Sequence, residues 1–341
     1  LEKERELKIK DGEWKNLECL YELDVQQNDE CATFSDWQKY TEQNKTMWGR
    51  FNQAPDLGKV YMTPPQFVGS DINNIIPFAE LKAVHIIYLA KNGETNKAMS
   101  EWLKYMDLYR AMAETRETMI FKAKLALNVL RHLAVLEKLL NIAPELASAY
   151  KQDLLLALRN DGPIFRDPYI ISDDWGLLEP LFYAVSGNTN ALQNDILKCV
   201  QGFRTLAQKP HDEYPYTDEK IVLCPLYKNK STFERSIVDP AITPGAYSAN
   251  AVHGLLFGGV LAGIDMIDSM KVMQVQFRQA QLGVKILSQE IPAYEVGHFV
   301  ENVPGKFQNP IVNKPFEWND EGQFLYFRVP GEKRQHKFHL N

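Results

Sequence analysis

The sequence predicts a mainly α fold, a bundle of antiparallel helical hairpins closed by a small C-terminal β-hairpin. Three observations carry this expectation. Apolar residues recur at three- and four-residue spacing through long stretches between Pro77 and Gln289. Asn92-Gly93, Asp161-Gly162-Pro163 and Gly187 interrupt that period roughly a helix length apart. After Pro292 prolines forbid a helix, and aromatic runs flank Asn319-Asp320-Glu321-Gly322. At 341 residues the chain can bury a full core as one large domain or two packed ones.

Residues 1–75 read as an N-terminal helical and loop segment. Its start is charged, and a helix over 35–51 with Trp37 and Trp48 ends before Pro55, Pro64 and Pro65. Residues 76–162 read as a four-helix module. In the first helix Leu81, Val84, Ile87 and Tyr88 form a stripe that stops at Asn92-Gly93. In the second, Ala98, Trp102, Tyr105, Met106 and Tyr109 share one face, and the short link makes the two helices antiparallel. A third helix over 115–141 has Leu125, Val129, Leu133, Leu136 and Leu140 as its stripe. Pro144 then opens a fourth that ends at Asp161.

Residues 163–290 read as a second helical module. It contains a hairpin turned at Gly187 (Leu178, Leu181, Phe182 and Val185, then Leu192, Ile196, Cys199, Phe203 and Leu206), followed by a long irregular loop over 209–245. Asn250 caps a helix carrying Gly254, Gly258, Gly259 and Gly263. Each glycine costs roughly 1 kcal/mol relative to alanine, so four of them imply another backbone packed close by. A further helix runs to Gln289. In residues 291–341, Phe316 and Trp318 pair with Phe324-Leu325-Tyr326-Phe327 around a turn in which Gly322 supplies a positive φ. Such a hairpin is unstable alone, so one aromatic face must lie on the helices. His336 and His339 fall in a basic tail expected to be solvated.

With 38 basic and 44 acidic residues and a net charge of -6, the chain has no basic face for nucleic acid. The most apolar run, 251–264, contains His253 and stops at Asp265, short of the roughly 20 residues a membrane span needs. The chain begins Leu-Glu-Lys-Glu-Arg-Glu without methionine. That predicts a start after a removed signal peptide, an N-terminal anchor or a cloning junction. Four cysteines fall as two local pairs, Cys19 with Cys31 and Cys199 with Cys224. Of the three connectivities, proximity favours these two disulfides and an extracytoplasmic address.

No cofactor and no metal is expected. The histidines are scattered, C-x-x-C and H-E-x-x-H are absent, and neither a P-loop nor G-x-S-x-G occurs. Two constellations remain. The stripe Trp102, Tyr105 and Tyr109 is core or, if open, a groove for a peptide or partner helix. Asp173 and Asp174, with His211 and Glu213, would serve acid–base hydrolysis of a saccharide or peptide if they converge.

Gly93 precedes Ala98 by five residues and Trp102 by nine, and Gly187 precedes Leu192 and Ile196 by the same steps. This spacing resembles the turn of a tetratricopeptide hairpin, although Tyr105 stands where that family has a small residue. The resemblance implies hairpins stacked as in an α-solenoid. The closing order Asn309-Pro310, Lys314-Pro315-Phe316, Gly322-Gln323-Phe324-Leu325-Tyr326 resembles the end of bacterial envelope proteins and of pseudopilin-like proteins. It departs from them in ending Phe327-Arg328-Val329-Pro330 and lends no functional residue. It implies a membrane-anchored protein with a helical body in the bacterial periplasm. The expectation is therefore a non-catalytic envelope protein that binds another envelope protein through a helical groove. The alternatives are a cell-wall hydrolase and a structural subunit of an envelope assembly.

Overall fold

A computed structural model describes residues 15–25, 30–57, 70–113, 119–159, 201–202, 205–206, 209–215, 267–332 and 334–340. These residues form a mostly helical body with a small antiparallel sheet near the C-terminus. The helices are α1 (Glu18–Tyr21), α2 (Phe34–Gln43), α3 (Lys45–Gln53), α4 (Ser70–Lys91), α5 (Thr95–Ala113), α6 (Met119–Ile142), α7 (Glu145–Ala149) and α8 (Lys151–Ala157). Two more follow, α9 over 267–288 and α10 (Ala293–Glu301). The strands are β1 (Glu317–Asn319), β2 (Phe324–Arg328) and β3 (Gln335–His339), in the order β1-β2-β3.

α4, α5 and α6 pack on one another as the centre of the body. The stop at Asn92-Gly93 forms as expected. Gly93 takes φ 83°, its N–H reaches Ala90 O at 3.0 Å, and Glu94 N–H reaches Leu89 O at 3.0 Å. This closure satisfies carbonyls that the helix end would otherwise orphan. The helix expected over 35–51 is instead two, broken at Asn44, whose φ of -112° and ψ of 25° leave the helical region. Its side chain donates to Tyr40 O at 2.9 Å and so competes with the backbone ladder. Thr33 and Asp36 form a capping box that opens α2. The fourth helix of the module breaks in the same manner at Tyr150, between α7 and α8. Its expected end at Asp161, the hairpin turned at Gly187 and the four-glycine helix lie outside the described residues.

α9 is the pivot of the architecture. Met273, Phe277, Ala280 and Val284 recur at helical spacing on one side and join the core of the helical body. Val275, Leu282 and Ile286 face another way and join a second core with Val296, Val300, Phe316, Leu325 and Phe327. The aromatic face of the sheet therefore lies on helices, as expected. Gln279, buried between the two cores, donates to Leu325 O at 2.7 Å and to His336 O at 3.2 Å.

The C-terminal element corrects two expectations. The hairpin is a three-stranded sheet, because residues 335–339 pair with β2 in the register Leu325↔Phe338 and Phe327↔His336. His336 and His339 therefore stand on a strand rather than in a solvated tail. The left-handed residue of the β1–β2 turn is Gln323, at φ 47°, and not Gly322. Gly322 serves proximity instead: its N–H meets Asn319 Oδ1 at 2.6 Å, and a Cβ there would lie 2.3 Å from the Phe324 ring.

Two helical glycines make the docking of the sheet testable. A Cβ on Gly283 of α9 would fall 2.4 Å from Phe338 Cε1, whose ring is buried, whereas one on Gly297 of α10 would make an ordinary 3.5 Å contact with Trp318. Gly283→Ala is expected to lose about 1–3 kcal/mol through overpacking. Gly297→Ala should be neutral or gain up to about 1 kcal/mol from helix propensity. Urea unfolding of both variants checks this, and equal effects would refute the close approach of α9 and β3.

Candidate functional site

Trp102, Tyr105 and Tyr109, the residues of the expected groove, are 0%, 0% and 2% exposed and fill the interface of α5 with α3, α4 and α6. They form core and line no open groove. Inside, Trp102 and Tyr105 find hydrogen-bond partners and Tyr109 finds aromatic ones. Trp102 Nε1 donates to His132 O at 2.7 Å, and Trp102 O lies 2.7 Å from His132 Nε2. The two rings stack at 5.0 Å, and Tyr109 meets His132 edge-on at 5.4 Å. Tyr105 hydroxyl donates to Phe51 O at 2.8 Å. Burial pushes His132 down to about 4, so its ring is neutral at ordinary pH.

A buried charge stands beside this stripe. Lys82 of α4 is 2% exposed, and its ammonium donates to Asn52 Oδ1 at 2.9 Å and to the Glu101 carboxylate, and lies 4.6 Å from the Tyr105 ring centre. Burial holds Lys82 below the ordinary lysine range, with Glu101 opposing. Burial also raises Glu101, but the Lys82 hydrogen bond and charge outweigh it and hold the carboxyl below its ordinary value.

Of the expected acid–base set, Asp173 and Asp174 lie outside the described residues. His211 and Glu213 share a 3-10 turn but do not converge: His211 Nε2 meets Gln274 Oε1 of α9 at 2.9 Å, while Glu213 is exposed. Asp268 of α9 accepts from the Tyr214 hydroxyl. Cys19 and Cys31 form a disulfide, with Cα atoms 5.6 Å apart, that ties α1 to the approach of α2. Cys199 and Cys224 lie outside the described residues. Those residues contain no cluster of histidine, cysteine or carboxylate groups fit for a metal and no helix long and apolar enough to cross a membrane.

The structure does form a large cleft, at a place the sequence reading did not single out. Its volume is about 1340 Å³, and α6, α9, the segment 18–24 and the β2–β3 pair wall it. The α6 wall presents Leu127, Leu130 and Ala134, with Leu127 51% exposed. Along the segment 18–24 stand Glu18, Glu22 and Asp24, and along the sheet Arg328, Arg334, Lys337 and the two strand histidines.

Charge pairing closes one end of the cleft. Glu137 of α6 accepts from His339 N–H at 2.7 Å and lies 2.6 Å from His339 Nδ1, while Asp24 lies 3.5 Å from Nε2 and 3.2 Å from Lys337 Nζ. His339 is thus a pin between two carboxylates. Asn141 donates to His339 O at 3.2 Å. His336 stacks on Phe327 at 4.8 Å with Glu332 at 3.3 Å, and burial holds it below the ordinary imidazole value.

Glu18 and Glu22 share the cleft with Arg131 and Arg334, whose charges both act on the Glu22 carboxyl. Glu18 and Glu22 stand one helical turn apart and make no ion pair among the described residues. Burial, followed by the charge of Glu18, raises the Glu22 carboxyl. The signal for this wall was present in Gln335-His336-Lys337-Phe338-His339, where a buried phenylalanine alternates with polar neighbours as in a half-buried strand. No family model, no curated protein and no solved structure matches the chain.

Proposed function

We propose that this chain is a non-catalytic binding protein of the bacterial cell envelope that holds an extended segment of another envelope protein in the cleft between α6, α9 and β3. The observation that carries the reading is the cleft itself. At about 1340 Å³ it exceeds the roughly 300–1,000 Å³ of small-molecule sites, and its walls combine exposed leucine with carboxylates and arginines. Its two histidines are engaged in structural pairs, His339 with Glu137 and Asp24, and His336 with Glu332. The Cys19–Cys31 disulfide supports an oxidising compartment.

The test is selection of random decapeptides displayed on phage against the oxidised protein and against a variant with Leu127→Trp and Ser269→Trp. Both substituted residues are exposed and line the cleft, one from α6 and one from α9, so the indoles occupy the cleft rather than the core. Selected peptides are expected to bind the unmodified protein at least ~10-fold more tightly than the filled one, the effect of losing about 1.4 kcal/mol. Enrichment of no peptide, or equal binding to both proteins, would overturn the reading.

A further inference from the structure

Among the described residues β3 is an edge strand, paired with β2 on one side. In an antiparallel ladder alternate residues turn both backbone groups toward the partner strand and the residues between turn both away. His339 marks the outward set, since its N–H goes to Glu137 Oε1 at 2.7 Å and its carbonyl accepts from Asn141 Nδ2 at 3.2 Å. Two side chains of α6 thereby occupy the positions that a neighbouring strand would take.

Alternation places the N–H and C=O groups of Lys337 and Gln335 on the same outer edge. Neither residue's backbone has a hydrogen-bond partner among the described residues outside the β2 pairing. Both residues line the cleft. α6 therefore satisfies the edge at His339, whereas the outward backbone groups of Gln335 and Lys337 have no such partner among the described residues. Glu18 and Glu22 line the same cleft without an ion-pair partner among the described residues.

We propose that the cleft takes its partner by strand addition: an extended segment pairs with Gln335 and Lys337 of β3, and its basic side chains meet Glu18 and Glu22. The proposal rests on the binding reading above and specifies its partner as an extended segment in which basic and β-branched residues alternate. Alternation follows from the strand period of two. One set of side chains faces the carboxylates, and the other meets Leu127, Leu130 and Ala134 of α6. The backbone ladder supplies register and the two carboxylates supply sign.

The probe is a fluorescein-labelled decapeptide of alternating valine and lysine, with blocked termini, titrated against the full chain by fluorescence anisotropy. Its block-ordered isomer, five valines followed by five lysines, has the same charge and composition. The alternating peptide is expected to bind at least ~10-fold more tightly than the isomer, and N-methylation of alternate amides should remove that advantage in one of the two phases and spare it in the other. Lys337→Pro deletes the outward N–H at an edge position where proline leaves the β2 ladder intact. It should abolish the advantage, whereas Lys337→Ala, which loses the Asp24 ion pair but keeps the N–H, should retain it.

Equal binding of the two isomers, or indifference to both N-methyl phases, would overturn strand addition. The peptide arm needs no variant and stands even if Lys337→Pro fails to fold. If the phage selection yields cleft-dependent binders that ignore Lys337→Pro, the binding reading survives and strand addition falls. If it yields none, the binding reading itself falls.

Discussion

Trp102→Ala is expected to cost about 3–5 kcal/mol of folding stability, a large part of the 5–15 kcal/mol that holds most domains. The side chain is fully buried at the meeting of α5 and α6. Removing it forfeits its area, leaves a cavity that the helices cannot fully close, and strips His132 O of the indole donor at 2.7 Å. Trp102→Phe separates these effects. It keeps most of the apolar area and orphans the same carbonyl, so about 1–3 kcal/mol is expected from the lost donor together with the smaller ring. Urea unfolding measured by far-ultraviolet circular dichroism gives both numbers. A Trp102→Ala protein as stable as the unmodified chain would contradict the burial on which the rejection of an aromatic groove depends.

The second large effect is asymmetric. Glu101→Ala leaves the Lys82 ammonium buried with one amide oxygen and an aromatic face, and breaking a buried pair in this manner costs about 3–5 kcal/mol. Because Glu101 is 22% exposed, water tempers the loss, and the lower end of that range is expected. Lys82→Met removes the buried charge and keeps its volume beside Trp48 and Tyr105. It leaves Glu101 near Lys104, 3.7 Å away, so a change within about 1 kcal/mol is expected. A Lys82→Met protein less stable than Glu101→Ala would show that the ion pair contributes net stability and was not merely tolerated.

The helical body was legible because its signals are local. The stripes of α4, α5 and α6 repeat at the helical period over enough turns to be unambiguous, and Asn92-Gly93 stops a helix by its own backbone preference. The breaks at Asn44 and Tyr150 were not legible, since neither residue is a strong helix breaker. The Cys19–Cys31 pairing followed from proximity in the chain, and the structure bears it out.

β3 was missed for a different reason. Five residues with one apolar member carry a weak pattern, and their strand state depends on pairing with β2 and on Gln279 and Glu137 reaching them from distant helices. The candidate site shares that weakness. Glu22, Glu137, Lys337 and His339 come from three remote parts of the chain, and no spacing rule connects them.

Local periodicity and turn chemistry thus determined, from the sequence alone, that this protein is mainly helical and closes in an aromatic sheet. Only the tertiary structure decided that Trp102, Tyr105 and Tyr109 are core, that His336 and His339 belong to a strand, and that a charged cleft opens beside it. The physical reason is that an amphipathic stripe records only that a face is apolar. Whether that face is covered, and which polar groups meet across a gap, depends on contacts between residues far apart in the chain.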